Sequence, residues 1–129
     1  MNLKEIRDAE SEANFNKVET LLTAFKRNYD AGDSDTASGR LYYACYHAVK
    51  ACLLAHGKDP RTHQGIRSDL DKLLKEKNLN QELGTNFSRL ETLRNMADYN
   101  LHKQVDGNTL EDMVKPAYEL IELMKFLSK

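Results

Sequence analysis

A chain of 129 residues with 40% hydrophobic and 30% charged residues, two prolines and six glycines is long enough for one domain with its own core and too apolar to remain disordered. Its formal net charge of -1 excludes a global attraction to nucleic acid or anionic lipid, so such binding would need a local patch. No apolar run approaches the length of a membrane span, and the polar start MNLKEIRDAESE has no signal-peptide pattern, so the expectation is a cytoplasmic protein with no membrane contact.

The first periodic segment runs from about Glu10 to Tyr29, where Phe15, Val18, Leu21, Leu22, Phe25 and Tyr29 recur at three- and four-residue spacing. Ala31-Gly-Asp-Ser-Asp-Thr36 ends that helix and offers capping side chains for a second one, from about Asp35 to His56, closed by Gly57. Thr62 caps a shorter third helix, about His63 to Lys77, which carries Ile66, Leu70, Leu73 and Leu74; Asn78 and Asn80 interrupt the pattern. A fourth segment, about Gln81 to Lys103, places Leu83, Phe87, Leu90, Leu93, Ala97 and Leu101 on one side. Asp106-Gly-Asn reads as a turn and Thr109-Leu-Glu-Asp as a capping box for a last helix, with Met113, Ala117, Leu120, Ile121, Met124 and Leu127 apolar and Pro116 implying a kink or a later start. No segment alternates as a strand does, and no repeat or low-complexity tract occurs. The expected fold is all-α, a single-domain antiparallel up-and-down bundle of about five helices.

The second helix carries two different faces. Leu41, Ala44, Cys45, Ala48, Cys52 and Ala55 fall on one side and are nearly all small, which lets neighbouring helices approach closely and predicts the most central helix of the bundle. Tyr43, Tyr46, His47 and Lys50 fall on the other, with Leu54 beside them. Three uses fit that face: packing within the chain with only the hydroxyls at water, contact with a second copy, or chemistry at His47. Cys45 and Cys52, seven residues apart, would stand about 10 Å from each other on a helix, beyond disulfide reach, and read as small reduced core residues.

Metal and phosphate-loop chemistry find little support. His47, His56, His63, His102 and the two cysteines show no CxxC, HxxxH or HExxH spacing, and the glycines are scattered at helix ends and turns, so no cofactor is expected. The stretch Lys58 to Lys77 is the most basic, yet its surplus is small enough for an ordinary solvated face. His63, near a helix start, reads as neutral and hydrogen-bonded within a local turn and cap.

Arg40-Leu-Tyr-Tyr-Ala-Cys-Tyr-His-Ala-Val-Lys-Ala-Cys-Leu-Leu, followed by Gly57, then Thr62-His-Gln-Gly-Ile66, and finally Leu93-Arg-Asn-Met-Ala-Asp-Tyr99, resembles the HEPN family (higher eukaryote and prokaryote nucleotide-binding domains), from roughly Glu10 onward. The resemblance implies a helical bundle that dimerises and is often encoded beside a minimal nucleotidyltransferase in a two-component, toxin-antitoxin-like pair. Its ligands would be a nucleotide, an RNA or the partner protein.

Many members are metal-independent ribonucleases in which an arginine, a polar residue and a later histidine form the site in a dimer cleft. Arg94-Asn95 matches the first half of that motif. Tyr99, Asn100 and Leu101 stand where the histidine belongs, and His102 comes one position late. Metal-free RNA cleavage needs a base, an acid and a cation, roles that suit histidine and arginine and that tyrosine, with a pKa near 10, serves badly as a base.

Two functions therefore remain. One is a dimeric binding module with a cleft lined by Arg94, Asn95, Asp98 and Tyr99, where Arg94 and Asp98 can pair along the helix, together with Tyr43, His47 and Lys50. The other is a ribonuclease toxin using Arg94 with His102 or Tyr99.

Overall fold

The computed structural model describes residues 1–99 and 104–129. Five helices follow one another: α1 (Leu3–Asp30), α2 (Ser34–Ala55), α3 (His63–Glu76), α4 (Glu82–Tyr99) and α5 (Gly107–Leu127). No strand occurs among the described residues, as the spacing of apolar residues predicts.

Helix ends fall where side chains can satisfy orphan backbone groups. The Asp33 carboxylate accepts from Thr36 N at 3.2 Å to open α2, and the Thr62 hydroxyl accepts from Gly65 N at 2.9 Å to open α3. Gly57 ends α2 at a φ of 80° and Asn78 follows α3 at 56°, both in the left-handed region.

Two boundaries differ from the sequence reading. Helix α1 begins at Leu3 because Asn2 caps it, its side chain accepting from Glu5 N at 2.8 Å. The added turns are mostly exposed, so they leave no buried stripe to read. Helix α5 opens at Gly107 under an Asp106 cap that accepts from Asn108 N at 3.0 Å, rather than at Thr109, and it runs through Pro116. The capping-box pattern was real in composition, but Asp106 reaches the free N–H groups first.

Helix α2 is the axle of the bundle. Leu41, Tyr42, Ala44, Ala48, Val49, Ala51, Cys52 and Leu53 are completely buried, and the core is assembled around them from Val18 of α1, Ile66 and Leu70 of α3, Phe87 and Leu90 of α4, and Leu120 and Ile121 of α5. Leu54, expected beside the half-wet face, is buried, and Ala55, expected inside, is exposed in the last turn.

Helix α1 runs against α2: the buried Ser11 hydroxyl donates to Ala51 O at 2.8 Å, and His47 Nδ1 lies 2.7 Å from Asn14 Oδ1. Helix α5 runs alongside α2, with Cys45 Sγ placed 3.8 Å from Ala117 O. Cys45 and Cys52 are free thiols, and burial pushes Cys45 up to about 12, keeping it protonated.

Because Leu41 is completely buried in the core, Leu41→Ala is expected to cost about 2–5 kcal/mol, whereas Ser11→Ala, which removes one buried hydrogen bond, costs about 1 kcal/mol. Urea denaturation of the two variants measures both, with Leu41→Ala expected to be the less stable.

Candidate functional site

Three residues of α2 at four-residue spacing, Asp35, Gly39 and Tyr43, lie along one edge of that helix and face α4. Together with Thr36 and Arg40 of α2 and Arg94, Ala97 and Asp98 of α4 they line a groove of about 300 Å³. Gly39 lies on its floor; a Cβ built there would stand 4.0 Å from Arg94 Cγ. Asp35 also reaches across to the segment before α5, where its carboxylate accepts from Val105 N at 2.6 Å. That bond fixes one wall of the groove to the α4–α5 connection.

Arg94 is held from three directions. Its guanidinium carbon lies 5.1 Å from the centre of the Tyr43 ring and 5.9 Å from that of Tyr42, so the cation rests against two electron-rich faces. Its Nη1 donates to Asn95 Oδ1 at 3.0 Å. Asp98 Oδ2 is 2.9 Å from Nε, yet it lies off the N–H line, and Nε is the one buried side-chain nitrogen or oxygen without a hydrogen bond among the described residues. Asp98 thus balances the charge of Arg94 without satisfying its geometry.

Behind Arg94 stands a polar cluster that spans three helices. The Tyr42 oxygen is 2.6 Å from His63 Nδ1 and 3.4 Å from Glu91 Oε2, and Glu91 pairs with Arg67. One proton arrangement satisfies both contacts: His63 donates to the phenol oxygen and the phenol donates to the carboxylate. Burial, with Glu91 adding to it, raises the Tyr42 pKa far above that of free tyrosine, so the phenol stays neutral. The ring of Tyr42 stacks on Phe87 at 5.6 Å and on His63 at 5.9 Å, which fixes the surface on which Arg94 rests. His63 therefore does more than close a local turn; Thr62 is the cap, and His63 ties the start of α3 to α2.

The residues expected at the cleft divide. Arg94, Asp98 and Tyr43 meet in the groove; Asn95 is exposed beside it and holds Arg94; Tyr99 is 79% exposed and does not line it. His102 lies outside the described residues. His47 sits on the far side of Tyr43, where both line a separate groove with Lys17, Thr20 and Leu21 of α1, and Lys50 lies outside both grooves, near enough for its charge to reach the imidazole. There burial first, and then the charges of Lys17 and Lys50, depress the His47 pKa to about 4, so its imidazole is neutral at pH 7.

The sequence reading used Asp35 and Thr36 as the start and cap of the second helix and Arg40 as the head of the family motif, and placed none of these, nor Gly39, at the cleft. The spacing of Asp35, Gly39 and Tyr43 was the signal for them. Among the described residues no group of three or more His, Cys, Asp or Glu is placed to hold a metal ion, and no helix is long and apolar enough to cross a membrane.

The five-helix bundle thus carries a polar notch between its second and fourth helices, where an arginine rests on tyrosine rings. The HEPN domain model matches residues 11–127, and the chain belongs to the HEPN domain family. It is similar to a UPF0332 protein of Archaeoglobus fulgidus, 29% identical over 90% of this chain and 93% of that one. A second UPF0332 protein, from Thermotoga maritima, is 27% identical over 71% of this chain and 70% of its own length. A Methanocaldococcus jannaschii protein named "Putative toxin" is 30% identical over 84% of this chain and 75% of its own length.

The neutral imidazole of His47 sets a pH dependence. An unfolded chain takes up a proton on this side chain near 6.5, whereas the folded one resists until about 4, so acidification across that window favours unfolding and the contribution is complete above it. Urea midpoints measured between those limits are expected to fall as the pH is lowered, and His47→Gln to flatten the slope.

Proposed function

We propose that this chain is the HEPN component of a toxin-antitoxin-like pair: a homodimeric binding module whose α2–α4 groove engages a protein partner, a minimal nucleotidyltransferase in the simplest form. One observation carries the reading. In the groove two cations, Arg40 and Arg94, stand with two carboxylates, Asp35 and Asp98, so its charges cancel.

A bare polyanion gains nothing from such a lining, because each phosphate drawn to a guanidinium is repelled by a carboxylate close by. A protein surface presenting both signs fits it. The membership in the HEPN family and the name of the Methanocaldococcus relative support a toxin-antitoxin-like setting. The ring-backed Arg94 supplies the kind of rigid, partly desolvated anchor that dominates interface energies.

Ribonuclease chemistry is the competing reading, favoured by Arg94-Asn95. It needs a general base within reach of a 2′-hydroxyl, and no histidine is among the described residues that line the groove. Tyr42 is neutral and tied up behind Arg94, and His47, with its pKa near 4, is a weak base on the other side of Tyr43. The weight therefore falls on binding.

The test is to incubate the purified protein with total RNA and EDTA beside an Arg94→Ala variant, and to weigh the protein by light scattering. Intact RNA and a dimer mass are expected. Cleavage that survives EDTA and vanishes in the variant would replace the binding reading with the ribonuclease, and a monomer mass would remove the dimer.

A further inference from the structure

Tyr43 has a second side. The groove between α1 and α2 that it borders away from Arg94 has a volume of about 270 Å³ and is lined by Lys17, Thr20 and Leu21 of α1 and by Tyr43 and His47 of α2. Lys17 stands three and four residues before Thr20 and Leu21, and Tyr43 four before His47, so each set shares one helix face. No carboxylate lines this groove. Lys17 is exposed and makes no ion pair among the described residues, which leaves its charge uncompensated.

His47 supplies the opposite kind of group, and its tautomer can be assigned. Asn14 Nδ2 donates to Glu10 O at 2.8 Å, which turns Asn14 Oδ1 toward His47 Nδ1, 2.7 Å away. An amide oxygen only accepts, so in the neutral imidazole Nδ1 carries the proton and Nε2 keeps a bare lone pair. No group among the described residues donates to Nε2, and it is not sealed in the core, since the one buried side-chain nitrogen or oxygen without a hydrogen bond there is Arg94 Nε. The Leu21 side chain and the Tyr43 ring complete the lining as an apolar wall.

The groove thus joins an unpaired cation, an unused acceptor and an apolar wall. We propose that it binds a small aromatic acid carrying one N–H or O–H, with the ring against Leu21 and Tyr43, the carboxylate on Lys17 and Thr20, and the donor on His47 Nε2. Each group of such a ligand meets one that the protein has left without a partner. Size decides against larger occupants. Sites for drug-sized ligands hold roughly 300–1,000 Å³, so this one takes a single ring system with its acid and is short of room for a base, a sugar and a phosphate together. A peptide strand would lay its N–H and C=O groups along Leu21 and Tyr43, which offer such a backbone little to bond with. Arg94 takes no part, so this site and the α2–α4 groove can fail separately.

The test is an NMR titration of the full chain, followed at the His47 ring and the Leu21 methyl groups. The probes are indoleacetate; benzothiopheneacetate, in which sulfur replaces the N–H; methylindole, which lacks the acid; AMP; and an end-blocked tryptophan–glutamate dipeptide. Indoleacetate is expected to shift both sets of signals saturably. The sulfur analogue binds about fivefold more weakly, the worth of one hydrogen bond. Lys17→Gln, a change at an exposed position, weakens indoleacetate about threefold and leaves methylindole as it was. Arg94→Ala changes neither. Absence of a saturable response to indoleacetate, equal binding of the sulfur analogue, undiminished indoleacetate binding in Lys17→Gln, or tighter binding of AMP or of the dipeptide would overturn the proposal.

Discussion

Everything in this bundle depends on α2 being able to touch all four other helices at once. A helix studded with large side chains holds its neighbours roughly 10 Å away and leaves gaps that cost several kcal/mol each to tolerate. Ala44, Cys45, Ala48 and Cys52 remove that obstacle on one face, and α1 and α5 close in. The same crowding forces Tyr42 into complete burial, where its hydroxyl must find partners. It finds them in His63 and Glu91, so the packing of a hydrophobic axle dictates the polar cluster behind Arg94.

The two grooves share Tyr43 as a wall and differ in charge. Toward α4, arginines and aspartates alternate and Arg94 is pinned by rings, by Asn95 and by the carboxylate of Asp98. Toward α1, lysines stand around a neutral imidazole. A single tyrosine ring thus has a guanidinium on one side and an imidazole groove on the other. Both grooves are thus bounded by the same tyrosine.

Much of this was legible in the order of residues, and the limits of legibility have physical causes. Helix existence followed from three- and four-residue spacing, because burying one face requires it. The family resemblance rested on the Arg40–Leu54 run, Gly57, the Thr62–Ile66 segment and the Leu93–Tyr99 segment, and the family match over residues 11–127 includes them all. The pairing of Arg94 with Asp98 is a local, one-turn contact and could be read directly. Tyr42 could not, since its partners His63 and Glu91 are 21 and 49 residues away in sequence. Its adjacency to Tyr43 disguised which of the two rings would be inside. The groove's α2 wall was readable in principle from Asp35, Gly39 and Tyr43 but lacked the aromatic and histidine residues that draw attention to chemistry. The start of α1 was silent because an exposed helix carries no hydrophobic period.

Gly39 carries a consequence of its own. A glycine in mid-helix sacrifices roughly 0.5–1 kcal/mol relative to alanine, and nothing here forbids alanine, since the new methyl would meet Arg94 Cγ at an ordinary 4.0 Å. The missing methyl is therefore free space on the groove floor and not relief from a clash. Robustness and roominess are set against each other at that single carbon: a sturdier version of this protein is one methyl away, and it would have a shallower notch.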